Sequence, residues 1–185
     1  MNARPASAAA RRQHRMPFRR LVRLLPAVLP ALLAACATGY SPGSLKPGDS
    51  IDTAVRQMGQ PTGEYPRADG SRRLEFARGP YGKHTYMLDF DAQGRLLQSS
   101  QVLTETTFAS VQAGMTADQV RQTLGRPARV WGVRYHNQTV WSYRYDTPFC
   151  QLFHVGITPS GVVEDTSFGP DPACDVDDRR FPLMR

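Results

Sequence analysis

The sequence predicts an α+β fold in two tandem repeats, each a short helical layer packed on a small antiparallel β-sheet. Three observations predict it. A capped helix motif recurs at a spacing of 66 residues, alternating apolar and polar runs follow each copy, and short glycine turns join those runs.

The helix motif comes first in each repeat. Pro47 to Pro61 aligns with Ala113 to Pro127, which sets Gly48 on Gly114, Gly59 on Gly125 and Pro61 on Pro127. In the second copy Thr116 is a good N-cap, and Gln119 lies at the capping-box spacing. Ala117, Val120 and Leu124 fall on one helical face. Gly125 suits the positive φ that ends a helix, and Pro127 blocks its resumption. In the first copy Ser50 caps, Ile51, Val55 and Met58 form the stripe, and Gly59 and Pro61 stop it. A further short helix is predicted from Glu105 to Val111.

Strands follow each helix. Leu74-Glu75-Phe76 aligns with Trp141-Ser142-Tyr143, and Leu88 to Gly94 aligns with Val155 to Gly161, both at a spacing of 67. The stretch from Pro127 to Trp141 is therefore one residue longer than the stretch from Pro61 to Leu74. Tyr86, Leu88 and Phe90 alternate with Met87 and Asp89, Ala92-Gln93-Gly94 turns the chain, and Leu96 runs back. In the second copy Trp141, Tyr143 and Tyr145 alternate with Ser142 and Arg144. Phe153, Val155 and Ile157 follow, then a Pro159-Ser160-Gly161 turn and a strand through Val163. Another strand is predicted from Val130 to Tyr135. Trp131, Val133 and Tyr135 share one face of it, as Trp141 and Tyr143 share a face of the next. The two sets meet only across a loop with an odd number of residues, such as His136-Asn137-Gln138, and that loop is predicted.

The N-terminus reads as a targeting segment. Arg11, Arg12, Arg15, Arg19, Arg20 and Arg23 accompany an apolar run from Leu21 to Ala35, a secretory pattern. Leu21 to Ala35 holds Pro26 and Pro30 and is shorter than the roughly 20 apolar residues that a membrane-crossing helix needs. Met1 and Met16 both remain open as the start, and Arg19-Arg20 also fits a twin-arginine signal, although a plain basic region explains it as well. Residues 1–35 hold seven Arg and no acid, while the remaining 150 residues hold 16 basic and 16 acidic side chains. The surplus charge thus belongs to the signal. The neutral body argues against nucleic acid as a partner, because phosphate recognition needs a cationic working surface.

Leu33-Ala34-Ala35-Cys36 resembles the lipobox of bacterial lipoproteins. That resemblance implies lipid on Cys36, which becomes the mature N-terminus, and Ala37 in place of Asp favours the outer membrane. Small residues, Pro and Gly from Ala37 to Lys46 read as a flexible tether. The expected organisation is a signal at 1–35, a tether at 36–46, repeats at 47–104 and 105–168, and a tail at 169–185. Cys150 and Cys174 are expected to pair in an oxidising compartment; two separate buried thiols are the alternative.

Gly-Met-Thr-x-x-x-Val-x-x-x-Leu-Gly-x-Pro over Gly114 to Pro127, followed by a Trp/Tyr strand and a Gly-turned hairpin, resembles the SmpA/OmlA (BamE-like) lipoprotein family. The tandem form is similar to the β-lactamase inhibitory protein fold. The first copy departs from the motif, with Asp49-Ser50 for Met-Thr and Ala54 for the Val. The resemblance spans residues 45–168. It implies a non-catalytic envelope protein, held to the outer membrane by its lipid on the periplasmic face, with an envelope protein as partner. An inhibitor of a periplasmic or secreted enzyme, such as a β-lactamase, is the alternative.

Catalytic and metal chemistry find little support. Gly39-Tyr40-Ser41-Pro42-Gly43 fits the Gly-x-Ser-x-Gly pattern, but it lies in the expected tether with Pro42 against helix entry. His84, His136 and His154 show no metal-ligand spacing, and His154 is expected on a polar strand face. Asp175, Asp177 and Asp178 beside Arg179 and Arg180 read as a solvated tail rather than a calcium loop. No enzyme, cofactor, metal or small-molecule substrate is expected. Trp131 and Trp141 are the candidate protein-binding residues; core filling is the plainer role for most of the aromatic set around them.

Overall fold

The structure, a computed structural model, describes residues 40–174, which all belong to one compact unit. The signal, Cys36 and Asp175, Asp177 and Asp178 lie outside the described residues. Among those residues the chain forms two four-stranded antiparallel sheets with three short α-helices, an α+β arrangement in two repeat-like halves.

Helix α1 (Ile51–Met58) opens the first half, and the Ser50 side chain accepts the Thr53 N–H at its start. The first sheet follows in the order β1 (Gly63–Pro66), β2 (Arg72–Ala77), β3 (Thr85–Phe90), β4 (Leu96–Gln101). The second half begins with α2 (Glu105–Phe108), shorter than the sequence predicts, and α3 (Ala117–Leu124). Thr116 and Gln119 make the complete capping box at α3. The second sheet runs β5 (Arg129–Val133), β6 (Gln138–Arg144), β7 (Gln151–Ile157), β8 (Val163–Pro170). The sequence reading did not place β1, a four-residue edge strand whose Tyr65 pairs with Arg73.

Several backbone hydrogen bonds recur in the two halves. Gly48 N–H donates to the Leu96 carbonyl as Gly114 N–H does to Val163, and Ile51 N–H donates to Gly94 as Ala117 does to Gly161. Both third strands bulge at the same place, at Asp89/Phe90 and Gly156/Ile157. The correspondence reaches back into the segment read as tether. Leu45 N–H donates to the Pro42 carbonyl, and 66 residues later Val111 N–H donates to Phe108. Leu45 packs on the first core as Val111 belongs to the second, and Tyr40 packs on the first core beside it. Two apolar side chains hidden among Ser, Pro and Gly dock this stretch, so from Tyr40 onward it lies against the body.

Layering explains which residues are buried. One face of the first sheet, with Leu74, Phe76, Leu88 and Phe90, packs with Ala54 and Met58 of α1. Its other face carries Met87, which joins Val120 and Leu124 of α3 and Trp141, Tyr143 and Val155 of the second sheet. Helix α3 is thus the filling between two sheets, with Val120 and Leu124 fully buried. At this junction Asp89 takes Arg73 in a two-pronged pair at 2.8 Å, with Arg67 and Gln98 completing it. Glu75 is buried there too and accepts the Tyr65 hydroxyl at 2.6 Å and Thr62 Oγ1 at 3.0 Å.

The loop between β5 and β6 corrects the register expected from the sequence. Val133 pairs with Gln138, so residues 134–137 form a four-residue, even-numbered loop. Arg134–His136 make a turn of 3₁₀-helix, and Asn137 closes it at φ 47. Trp131 therefore faces Val140, and Trp141 faces Val130, on opposite sides of the sheet.

Candidate interaction surface

The even loop divides the aromatic set. Trp141, Tyr143 and Tyr145 point into the core, where Tyr143 donates to the Gly125 carbonyl at 3.2 Å. Trp141 is 6% exposed, and the Arg121 guanidinium stacks 4.7 Å over its ring. It is a core residue. Trp131 is 40% exposed on the opposite face, which the described helices leave uncovered.

That outer face roofs itself with its own side chains. Trp131 lies across the sheet and donates its indole N–H to Ser142 Oγ at 3.0 Å. Ser142 Oγ in turn meets His154 Nδ1 at 2.8 Å, and the Trp131 and His154 rings meet edge to face. Gln138 Nε2 donates to Asp165 Oδ1 at 3.1 Å across Gly156, where a Cβ would strike both groups. Gly169 likewise leaves room for the His154 ring. The small residues on the face are spaces for side chains lying flat.

Ser142 and His154 form a serine–histidine pair that the sequence did not reveal, because the two stand on neighbouring strands 12 residues apart. Ser142 is 1% exposed and is occupied by the Trp131 indole. Burial lowers the His154 pKa from its ordinary value, because it disfavours the charged ring. The pair positions Trp131; it does not present an accessible nucleophile. His84 stacks on Tyr86, and His136 lies in the β5–β6 turn. Ser41 accepts the Gly43 N–H and Gln57 donates to the Ser41 carbonyl, a local turn with no helix after it. No cluster of three or more His, Cys, Asp or Glu suited to a metal occurs among the described residues.

At one end of this face the chain is clamped. Cys150 and Cys174 are bonded, with Cα atoms 6.2 Å apart. Asp171 N–H donates to the Cys150 carbonyl, and Arg144 grips the Asp171 carboxylate through two nitrogens, one at 2.7 Å. The Arg144 bonds hold the Asp171 carboxyl below its ordinary range. Arg144 also donates to the Pro80 carbonyl and stacks on Tyr81, which ties the first half to the clamp. Strand β8 runs to Pro170, two residues into the segment read as tail. No helix among the described residues is long and apolar enough to cross a membrane.

No curated protein matches this sequence. Solved structures share limited likeness with it. A protein named as the osmotically inducible lipoprotein OsmE is 21% identical, with 44% of this chain and 88% of that chain covered and a TM-score of 0.33. A protein named as a β-lactamase inhibitor from Streptococcus mutans is 11% identical, with 76% and 94% covered and a TM-score of 0.28. A DUF4309 family protein from Bacillus subtilis subsp. subtilis str. 168 is 16% identical, with 66% and 78% covered and a TM-score of 0.26. The family comparison is specific: residues 100–148, from the end of β4 through β6, match the outer membrane protein assembly factor BamE domain, so this chain carries a BamE-type segment in its second half.

Proposed function

We propose that this protein is an outer-membrane lipoprotein, anchored through Cys36 on the periplasmic face, that serves as a non-catalytic interaction module in envelope assembly. The observation that carries this reading is the BamE-type match over residues 100–148, which includes the strands that present Trp131. The lipobox-like Leu33 to Cys36 and the basic, apolar leader support the location, and Ala37 favours the outer membrane by the sorting rule of such lipoproteins. The buried Ser142 supports the non-catalytic part. The partner is an envelope protein that takes the Trp131 face, since exposed Trp is a favoured interface anchor.

A photo-crosslinking residue at position 131 tests this in intact cells. The expected result is a discrete adduct with an envelope protein that is absent when the same residue replaces exposed Leu97 of the first sheet. Loss of any adduct at 131, with the variant folded and exported, would contradict the reading.

A further inference from the structure

We infer that the corner of the molecule formed by Tyr40 and the β2–β3 loop lies against the lipid surface that carries the anchor, so that the β5–β6 turn points away from it. The inference rests on the anchor proposed at Cys36 and adds an orientation to it. Tyr40 is docked: its ring meets Tyr86 at 6.0 Å, Arg78 stacks 4.2 Å above it, and its hydroxyl is buried. Only Ala37, Thr38 and Gly39 separate it from Cys36. Four extended steps reach about 14 Å at most, too short for the body to turn freely above a bilayer.

The corner suits that neighbour. Residues 78–84 read Arg-Gly-Pro-Tyr-Gly-Lys-His and contain no acid. Tyr81 is 79% exposed, and Lys83 is exposed, with Asp146 at 3.6 Å. An amphipathic ring beside cations is the composition of a headgroup layer contact. The far end is defined by β6. Tyr81 touches Arg144 at the C-terminal end of that strand, whereas Tyr135 precedes its N-terminal end at Gln138. Six strand steps put these ends about 20 Å apart.

The test uses the acylated chain in vesicles of phosphatidylethanolamine and phosphatidylglycerol containing lipids brominated near the headgroup, a short-range quencher of Trp emission. Tyr81→Trp and Tyr135→Trp each add a reporter at an exposed site. Tyr81→Trp should be quenched several-fold more than Tyr135→Trp. Inserting about twelve Gly and Ser residues after Thr38, which adds roughly 19 Å of root-mean-square reach, should remove the difference. Equal quenching at both positions, or a difference that survives the insertion, overturns the orientation. Intact mass separates the two claims: acylated protein with equal quenching overturns the orientation alone, and unacylated protein overturns the anchor and the orientation with it.

Discussion

Asp89 holds its charge at the buried junction of the two halves, and the result is measurable. Burial alone would raise its pKa, but Arg73, Gln98 and Arg67 bring it down to about 2 from an ordinary 3.8. The charged form is therefore favoured by folding. That contribution is complete above about pH 4 and is lost as pH falls through 2, on the order of 2 kcal/mol in all. Denaturant midpoints between pH 5 and pH 2 should flatten in Asp89→Asn relative to the natural chain; an unchanged slope would contradict the assignment. Gly59 and Gly125 offer a second test. Both end helices at nearly the same backbone angles, φ 86 and φ 80. A Cβ at Gly59 meets nothing within 4 Å, whereas at Gly125 it would sit 2.9 Å from the Glu75 carboxyl carbon. Ala at either site carries a backbone cost of about 1–3 kcal/mol. Gly125→Ala should cost at least about 1 kcal/mol more, because it also pushes the halves apart. Equal losses would mean that the contact with Glu75 is slack.

At the scale of elements, the caps and the repeat were legible and the register was not. Ser50, Thr116, Gln119, Gly59 and Gly125 act locally, so their helix ends follow from neighbouring residues alone. Alternation records which residues share a face and says nothing of a 3₁₀ turn that uses four residues, so the length of the β5–β6 loop does not follow from it. Alternation alone puts Trp131 and Trp141 in one cluster, and the structure sets them on opposite faces. Their separation predicts distinct phenotypes. Trp141→Ala should cost about 3–5 kcal/mol in a thermal or denaturant melt, as a large buried aromatic does. Trp131→Ala should cost less than about 1.5 kcal/mol, since Ser142 keeps His154 as a partner. Comparable losses would return Trp131 to the core. Reducing the Cys150–Cys174 bond, which closes a separation of 24 residues, should lower stability by roughly 3 kcal/mol.

At the scale of the whole molecule, the sequence showed two similar units but not how they join. Asp89 and Glu75 look like the solvent side of a sheet when alternation is read within one half. They are buried because α3 of the other half lies over them, and the Arg73–Asp89 pair and the Tyr65 hydroxyl make that burial tolerable. The docking of Tyr40 and Leu45 was hidden in the same way, since their surroundings come from strands far along the chain. Together they tie the half that contains the BamE-matching residues 100–148 to a body that starts at Tyr40. The most direct measurement is mass spectrometry of the N-terminal peptide of native protein from cells fed an alkyne-bearing fatty acid. The expected product begins at Cys36 and carries the labelled acyl chain. A native chain beginning at Met1 or Met16, with an unmodified Cys36 thiol, would contradict the lipid anchor and the envelope location built on it.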